Sequence, residues 1–182
     1  MTRDPFLPKD PAAAKAYLEE FFSLQVSSLA TRLRNIGCKK AVVGVSGGLD
    51  STLALLVACR AMDQLGLPRQ NVLGVTMPGF GTTDRTYYNA LRLIEDLGAT
   101  GRDISIKAGV LQHFQDIGHN SQVKDVTYEN AQARERTQVL LDLPTKERGL
   151  VVGTGDLSRR RWLAPLRGPD RQLQRQHLAP RT

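Results

Sequence analysis

Cysteine is nearly absent from this chain, and no long apolar run occurs in it. The two cysteines, Cys38 and Cys59, carry no CxxC or metal-ligand spacing, so buried or free thiols in a reducing cytosol are expected rather than disulfides. No stretch reaches the roughly 18–20 apolar residues of a membrane span, and the N-terminal segment lacks a signal-peptide pattern, so a cytoplasmic chain is expected. Histidine is scarce too: His113, His119 and His177 share no ligand spacing, and none is assigned a catalytic role. Aromatics are 5% of the 182 residues, yet a hydrophobic content of 41% suffices for one soluble α/β domain with a real core. The formal charge of +7 invites a nucleic-acid reading, but it is badly placed for one. Residues 159–182 hold seven arginines against one acid, which leaves the first 158 residues with a net charge of only +1. Nucleic acid is therefore not the expected partner of the globular part.

What is present is a glycine-rich junction. Residues 44–52 read Gly44, Val45, Ser46, Gly47, Gly48, Leu49, Asp50, Ser51, Thr52, directly after the apolar Ala41, Val42 and Val43. A strand end, a glycine turn and a helix start together expose unsatisfied N–H groups at the positive end of a helix dipole, which favours a phosphate. Ser46, Ser51 and Thr52 add hydroxyls. Asp50 repels phosphate unless it holds a divalent cation, so the local reading is a nucleotide polyphosphate with Mg²⁺. No Gly-Lys-Ser/Thr follows and no GxGxxG is formed, which excludes a Walker loop and the dinucleotide fingerprint. An ordinary glycine turn capping a helix is the competing reading.

Periodicity predicts helices over residues 11–36, 51–64, 84–97, 108–116 and 128–147, the last broken or bent at Pro144. Strands are predicted over 40–45, 71–76, 103–106 and 150–152. In the first helix Tyr17, Leu18, Phe21, Phe22, Leu24, Val26, Leu29, Ala30 and Leu33 carry the periodic pattern. In the second, Leu53, Leu55, Leu56, Val57 and Ala58 are expected to face the sheet and core, and Thr83 is expected to cap the third. Alternating strands and helices imply a parallel sheet with right-handed crossovers. Its ligand then sits beyond the strand ends, at loops 44–52, 77–83 and 153–158. The polar loop 118–121 is expected to close over that site.

The glycine loop resembles the Ser-Gly-Gly-x-Asp-Ser loop of ATP pyrophosphatases. Three further segments narrow the resemblance: residues 76–83 (Thr-Met-Pro-Gly-Phe-Gly-Thr-Thr), residues 128–136 (Tyr-Glu-Asn-Ala-Gln-Ala-Arg-Glu-Arg) and residues 152–158 (Val-Gly-Thr-Gly-Asp-Leu-Ser). Over about residues 4–158 the chain resembles the NAD synthetase family, in particular the synthetase domain of the glutamine-dependent form. The opening Pro5, Phe6, Leu7, Pro8 resembles the linker that follows a glutaminase domain in the long enzymes. The resemblance implies an adenine-nucleotide alpha-hydrolase-like (Rossmann-like) fold with helices on both sheet faces. It also implies ATP-dependent amidation of deamido-NAD through an adenylated intermediate, with AMP and pyrophosphate released. Residues 44–51 would hold ATP, with Ser46 and Asp50 catalytic and Asp50 on Mg²⁺; Thr154 matches the family's ATP-contacting threonine. Asn130 and Arg134 match its Asn-x-x-Ala-Arg, which contacts deamido-NAD. Phe80 and its loop would flank adenine, a simple turn being the competing reading, and for residues 134–136 the competing reading is a solvated helix face. Ammonia, a separate glutaminase chain or domain, and a second copy of the chain are the implied partners. A GMP synthetase-like or tRNA-thiolating enzyme, or a non-catalytic nucleotide-binding remnant, are the alternatives.

The resemblance stops at Arg159, where the family carries a glutamate that supplies a second Mg²⁺ carboxylate. The chain accordingly divides into a linker-like 1–10, a partial synthetase domain over 11–158, and an arginine-rich tail over 159–182 that is expected to be disordered. Residues 174–178 (Gln-Arg-Gln-His-Leu) can be encoded CAA CGT CAA CAC CTG, which one nucleotide on reads Asn-Val-Asn-Thr, resembling a downstream family segment. An out-of-frame origin is expected for the tail, a real basic RNA-binding tail being the competitor.

Overall fold

Helix α1 (Pro11–Asn35) begins where proline punctuation gives way to periodic sequence. The Asp10 carboxylate accepts the Ala13 N–H at 2.8 Å, and Pro11 occupies a first-turn position where no N–H is needed. The structure, a computed structural model, describes residues 8–155. Most of the linker-like extension, residues 156–158, Arg159 and the tail lie outside the described residues.

After α1 come β1 (Ala41–Gly44), α2 (Leu49–Gln64), a 3-10 turn (Arg69–Asn71), β2 (Val72–Thr76) and α3 (Asp84–Asp96). Then follow β3 (Thr100–Asp103), α4 (Lys107–Asp116), α5 (Val126–Glu147) and β4 (Leu150–Val151). Every pairing is parallel and the strand order is β3-β2-β1-β4. Strand β1 therefore has a neighbour on each side, and its Ala41, Val42 and Val43 are fully buried, as an unbroken apolar run requires. Leu55, Ala58 and Met62 of α2 and Ala90 and Ile94 of α3 pack with Val43, Val45 and Val72 on one face. Leu140 and Leu143 of α5 pack with Val42, Leu73 and Val75 on the other. The expected parallel α/β sheet with helices on both faces is what forms.

Several expectations change. Strand β3 is Thr100–Asp103 instead of 103–106, because it is an exposed edge strand with no apolar pattern to mark it. The apolar Ile104 and Ile106 come just after it, donating N–H groups to Thr76 O at 2.9 Å and Pro78 O at 3.1 Å. Pro144 does not break α5: the helix runs on to Glu147, although the proline has no N–H to donate to the Leu140 carbonyl one turn earlier. Thr83 holds the N-cap position of α3, but its hydroxyl pairs with Thr86 Oγ1 at 2.9 Å instead of capping. On α2, Leu53 is exposed. On α1 only Val26, Ala30 and Leu33 are buried, because only its second half lies over α2; Tyr17, Leu18, Phe21 and Leu24 stay exposed.

At the end of α2, Arg69 grips Asp63 with two hydrogen bonds of 2.8 and 2.7 Å. That pairing holds the Asp63 carboxyl below its usual range. A carboxylate whose folded pKa lies below its unfolded one contributes fully above the unfolded value and loses the contribution as pH falls through the folded one. Thermal melting across acidic pH is therefore expected to show a decline that is shallower in Asp63→Asn than in the wild type.

Candidate functional site

Because the strands run the same way, the loops after β1, β2 and β4 emerge at one edge of the sheet. There a cavity of about 410 Å³ is lined by Gly44, Val45 and Ser46, by Thr76, Met77 and Pro78, and by Thr154. Thr82, Thr86, Tyr87 and Ala90 close it from the α3 side, and Arg136 and Leu140 from α5. All three loops expected at this edge meet there, the last described only as far as Gly155.

Gly48 is the N-cap of α2 and has extended backbone, and as a glycine it supplies no side-chain oxygen to cap the first turn. Gly47 holds φ +80° and lies against the Thr86 carbonyl, so close that a Cβ would overlap that oxygen. Hydroxyls brace the turn from inside. Ser51, only 3% exposed, accepts the Ser46 N–H at 3.2 Å and donates to Gly48 O at 2.9 Å. Thr52 Oγ1 donates to the same carbonyl at 3.0 Å, and Ser46 Oγ lies 3.2 Å from Ser51 Oγ. The Ser51 and Thr52 protons are thus spent on the loop itself. For an anion there remain the N–H groups of Leu49 and Ser51 at the helix start, and the exposed Ser46 once its hydroxyl turns away from Ser51.

Asp50 lies on the other flank of the loop. With Gly153, Thr154 and Gly155 it lines a second groove of about 550 Å³, walled by Phe21, Leu24 and Leu53. Thr154 belongs to both cavities and joins them. Leu49, between the flanks, is 89% exposed. Among the described residues no three His, Cys, Asp or Glu side chains cluster to hold a metal ion by themselves. The donor set still fits Mg²⁺, which takes one or two carboxylates and completes its shell with phosphate oxygens and water.

Asn130 is partly buried and Arg134 exposed on α5, and neither lines either cavity. The guanidinium that does is Arg136, whose Nε donates to Met77 O at 3.2 Å. Among the described residues it is the one charged side chain lining the 410 Å³ cavity. Burial pulls its pKa below the usual arginine range, against the opposing charge of Glu129. One turn earlier Gln132, 4% exposed, accepts the Phe80 N–H at 3.1 Å and so pins the loop after β2. Phe80 turns its ring to Tyr128, at 5.9 Å between centroids, and is not among the lining residues. Arg136 and Gln132 were missed in the sequence, although a signal existed. Tyr128, Gln132, Arg136 and Leu140 recur every fourth residue, so Arg136 shares the stripe of buried neighbours rather than a solvated face.

Loop 118–121 does not close over the site. It folds back on the α4–α5 junction, with the His119 ring 4.8 Å from Phe114 and His119 Nε2 3.1 Å from Asp125 Oδ1. Asp125 itself caps α5, accepting the Tyr128 N–H at 2.9 Å, so the loop is tied into the helix start that precedes Gln132 and Arg136.

An open parallel sheet whose central strand runs through a glycine loop into an uncapped helix start defines an α/β domain of the adenine-nucleotide alpha-hydrolase type. The chain itself belongs to the NAD synthase family, whose model matches residues 22–161. A glutamine-dependent NAD⁺ synthetase of Mycobacterium leprae is 48% identical over 160 residues, 86% of this chain and 24% of that protein. An NH₃-dependent NAD⁺ synthetase of Fusobacterium nucleatum is 33% identical over 76% of this chain and 51% of its own length. Among solved structures, a glutamine-dependent NAD⁺ synthetase from Acinetobacter baumannii in complex with adenosine diphosphate superposes with a TM-score of 0.71 at 28% identity, covering 79% of this chain and 26% of that one. The chain thus spans about a quarter of the glutamine-dependent relatives and about half of the ammonia-dependent one.

Proposed function

We propose that this chain carries the ATP-binding half of an NAD synthetase site, and that the complete site amidates deamido-NAD to NAD. The observation that supports this most is the cavity shared by the glycine loop, Thr154 and Arg136 at the carboxyl edge of the sheet. In the proposed reaction the nicotinate carboxylate attacks the α-phosphorus of ATP and pyrophosphate leaves. Ammonia then attacks the carbonyl of the acyl-adenylate, loses a proton and expels AMP. Two anions must meet in the first step, so positioning and charge neutralisation are the main tasks of the protein.

The first-turn N–H groups of α2 and Ser46 bear the polyphosphate in this reading, and Arg136 balances its charge from across the cavity. Mg²⁺ beside Asp50 supplies the remaining positive charge when it is bound. Asn130 and Arg134, one turn apart on α5, meet deamido-NAD outside the cavity. Ammonia comes from solution or from a glutaminase domain or chain. The exposed Tyr17, Leu18, Phe21 and Leu24 on α1 support pairing with a second copy, which sedimentation would read as a dimer. Location in the cytoplasm accords with the free thiols of Cys38 and Cys59; none of the described helices is long and apolar enough to cross a membrane.

Arg159 favours a second reading, a nucleotide binder without turnover. The test is calorimetric titration with ATP and Mg²⁺ beside an assay for AMP and NAD from ATP, deamido-NAD and ammonia. Saturable ATP binding with little or no NAD is the expected result. Robust turnover would show that the carboxylate missing at Arg159 is dispensable, and absence of ATP binding would overturn the nucleotide reading altogether.

A further inference from the structure

We propose that Asp103 is a positioning residue that fixes the hydrogen-bond sense of the nucleotide cavity, so that its Thr76–Tyr87 wall accepts hydrogen bonds and selects ligand groups that donate them. The proposal rests on the nucleotide reading above. Asp103 ends β3 at the sheet edge and is not itself a lining residue. Each of its carboxylate oxygens takes a hydroxyl from a residue that is. Thr76 Oγ1, at the end of β2, donates to Oδ1 at 2.7 Å, and the Tyr87 phenol on α3 donates to Oδ2 at 2.7 Å.

A carboxylate has no proton to return, so both hydroxyl protons are committed to Asp103. The other acceptor within reach of Thr76 Oγ1 is the Arg102 carbonyl at 3.4 Å, which also can only accept. Whatever these two oxygens offer a ligand is therefore lone pairs. Hydroxyl-to-carboxylate bonds of this length are charge-assisted and about twice as strong as neutral ones, which resists turning either proton round. The same bond pushes the Tyr87 phenol above its usual range, so it keeps its proton. Thr76 is 2% exposed, and the Tyr88 ring meets Tyr87 edge-on at 5.4 Å, which holds the wall from a second side. One carboxylate thus ties β2, β3 and α3 together and gives two wall groups the same polarity.

The ligand chemistry that fits is a hydrogen-bond donor. Adenosine offers two sources, the exocyclic amine of the base and the ribose hydroxyls. A 6-oxo purine would set its carbonyl oxygen against lone pairs, and a deoxyribose would leave them unmatched.

The test titrates the full chain with ATP, inosine triphosphate, 2′-deoxy-ATP and 3′-deoxy-ATP, for the wild type, Asp103→Asn and Tyr87→Phe. The wild type is expected to bind at least one analogue about tenfold or more weakly than ATP. Loss with the inosine nucleotide assigns the base amine; loss with a deoxy nucleotide assigns the ribose. In Asp103→Asn the amide N–H can donate to one hydroxyl oxygen and turn its proton toward the cavity, so the preference for ATP is expected to collapse to within about threefold. Tyr87→Phe removes one acceptor and is expected to weaken ATP while leaving the disfavoured analogue nearly unchanged. The readout is a ratio measured on one protein, so a merely structural defect lowers all four affinities and leaves it alone. An unchanged ratio in Asp103→Asn, or equal wild-type affinity for all four nucleotides, overturns the proposal. A wild type that binds none of them instead overturns the nucleotide reading on which it rests.

Discussion

Gly47→Ala is expected to remove ATP binding, with affinity falling on the order of 100-fold or more. Two separate causes act at this residue. Its φ of +80° is one that side-chain-bearing residues adopt at a cost of about 1–2 kcal/mol. In addition, the new Cβ would overlap the carbonyl oxygen of Thr86, a backbone atom in the first turn of α3 that no rotamer change can move away. Either the loop lifts off α3 or α3 shifts, and both distort the cavity that the loop and α3 line together. Far-ultraviolet circular dichroism should be nearly unchanged, because the strain falls between the loop and the start of α3 and leaves the helices and strands themselves formed. Calorimetry with ATP checks the prediction. Gly48→Ala adds no such strain: there φ is −90° and the nearest atom to a new Cβ is Ser46 Oγ at 3.5 Å, so the loop keeps its place against α3.

The centre of the domain was legible in the sequence because each signal there is local. Ala41, Val42 and Val43 form a buried run, glycines follow it, and α2 comes next, so strand, loop and helix start could be read off residues 41–52 alone. Strand β3 was misread because an edge strand buries nothing; Thr100, Gly101, Arg102 and Asp103 are all exposed and carry no alternation. The overhang of α1 was misread for the opposite reason. Tyr17, Leu18, Phe21 and Leu24 do have helical periodicity, but periodicity reports an apolar stripe and cannot say whether this chain covers it. The cavity wall was hidden for a third reason. Tyr87, Asp103 and Thr76 come from three elements, and only the parallel register of β2 with β3, which sets Thr76 opposite Asp103, brings them together.

Arg134 and Arg136 are expected to divide the two substrates between them. Arg136→Met removes the charged group that lines the 410 Å³ cavity while keeping an unbranched chain. A hydrogen-bonded charge that is half out of water is worth about 1.5–3 kcal/mol, so ATP is expected to bind roughly 10–100-fold more weakly. Arg136→Lys keeps the charge but loses the fork that serves Met77 O and the cavity at once, and is expected to recover part of the loss. Arg134 is exposed and lines neither cavity, so Arg134→Met is expected to leave ATP affinity within about twofold and to weaken deamido-NAD alone. Adenosine separates a phosphate contact from a structural role. If Arg136 meets phosphate, adenosine binds the Arg136→Met variant as it binds the wild type. If Arg136 serves only to hold Met77 and the loop after β2, adenosine and ATP weaken together, and the charge-balancing role assigned to it fails.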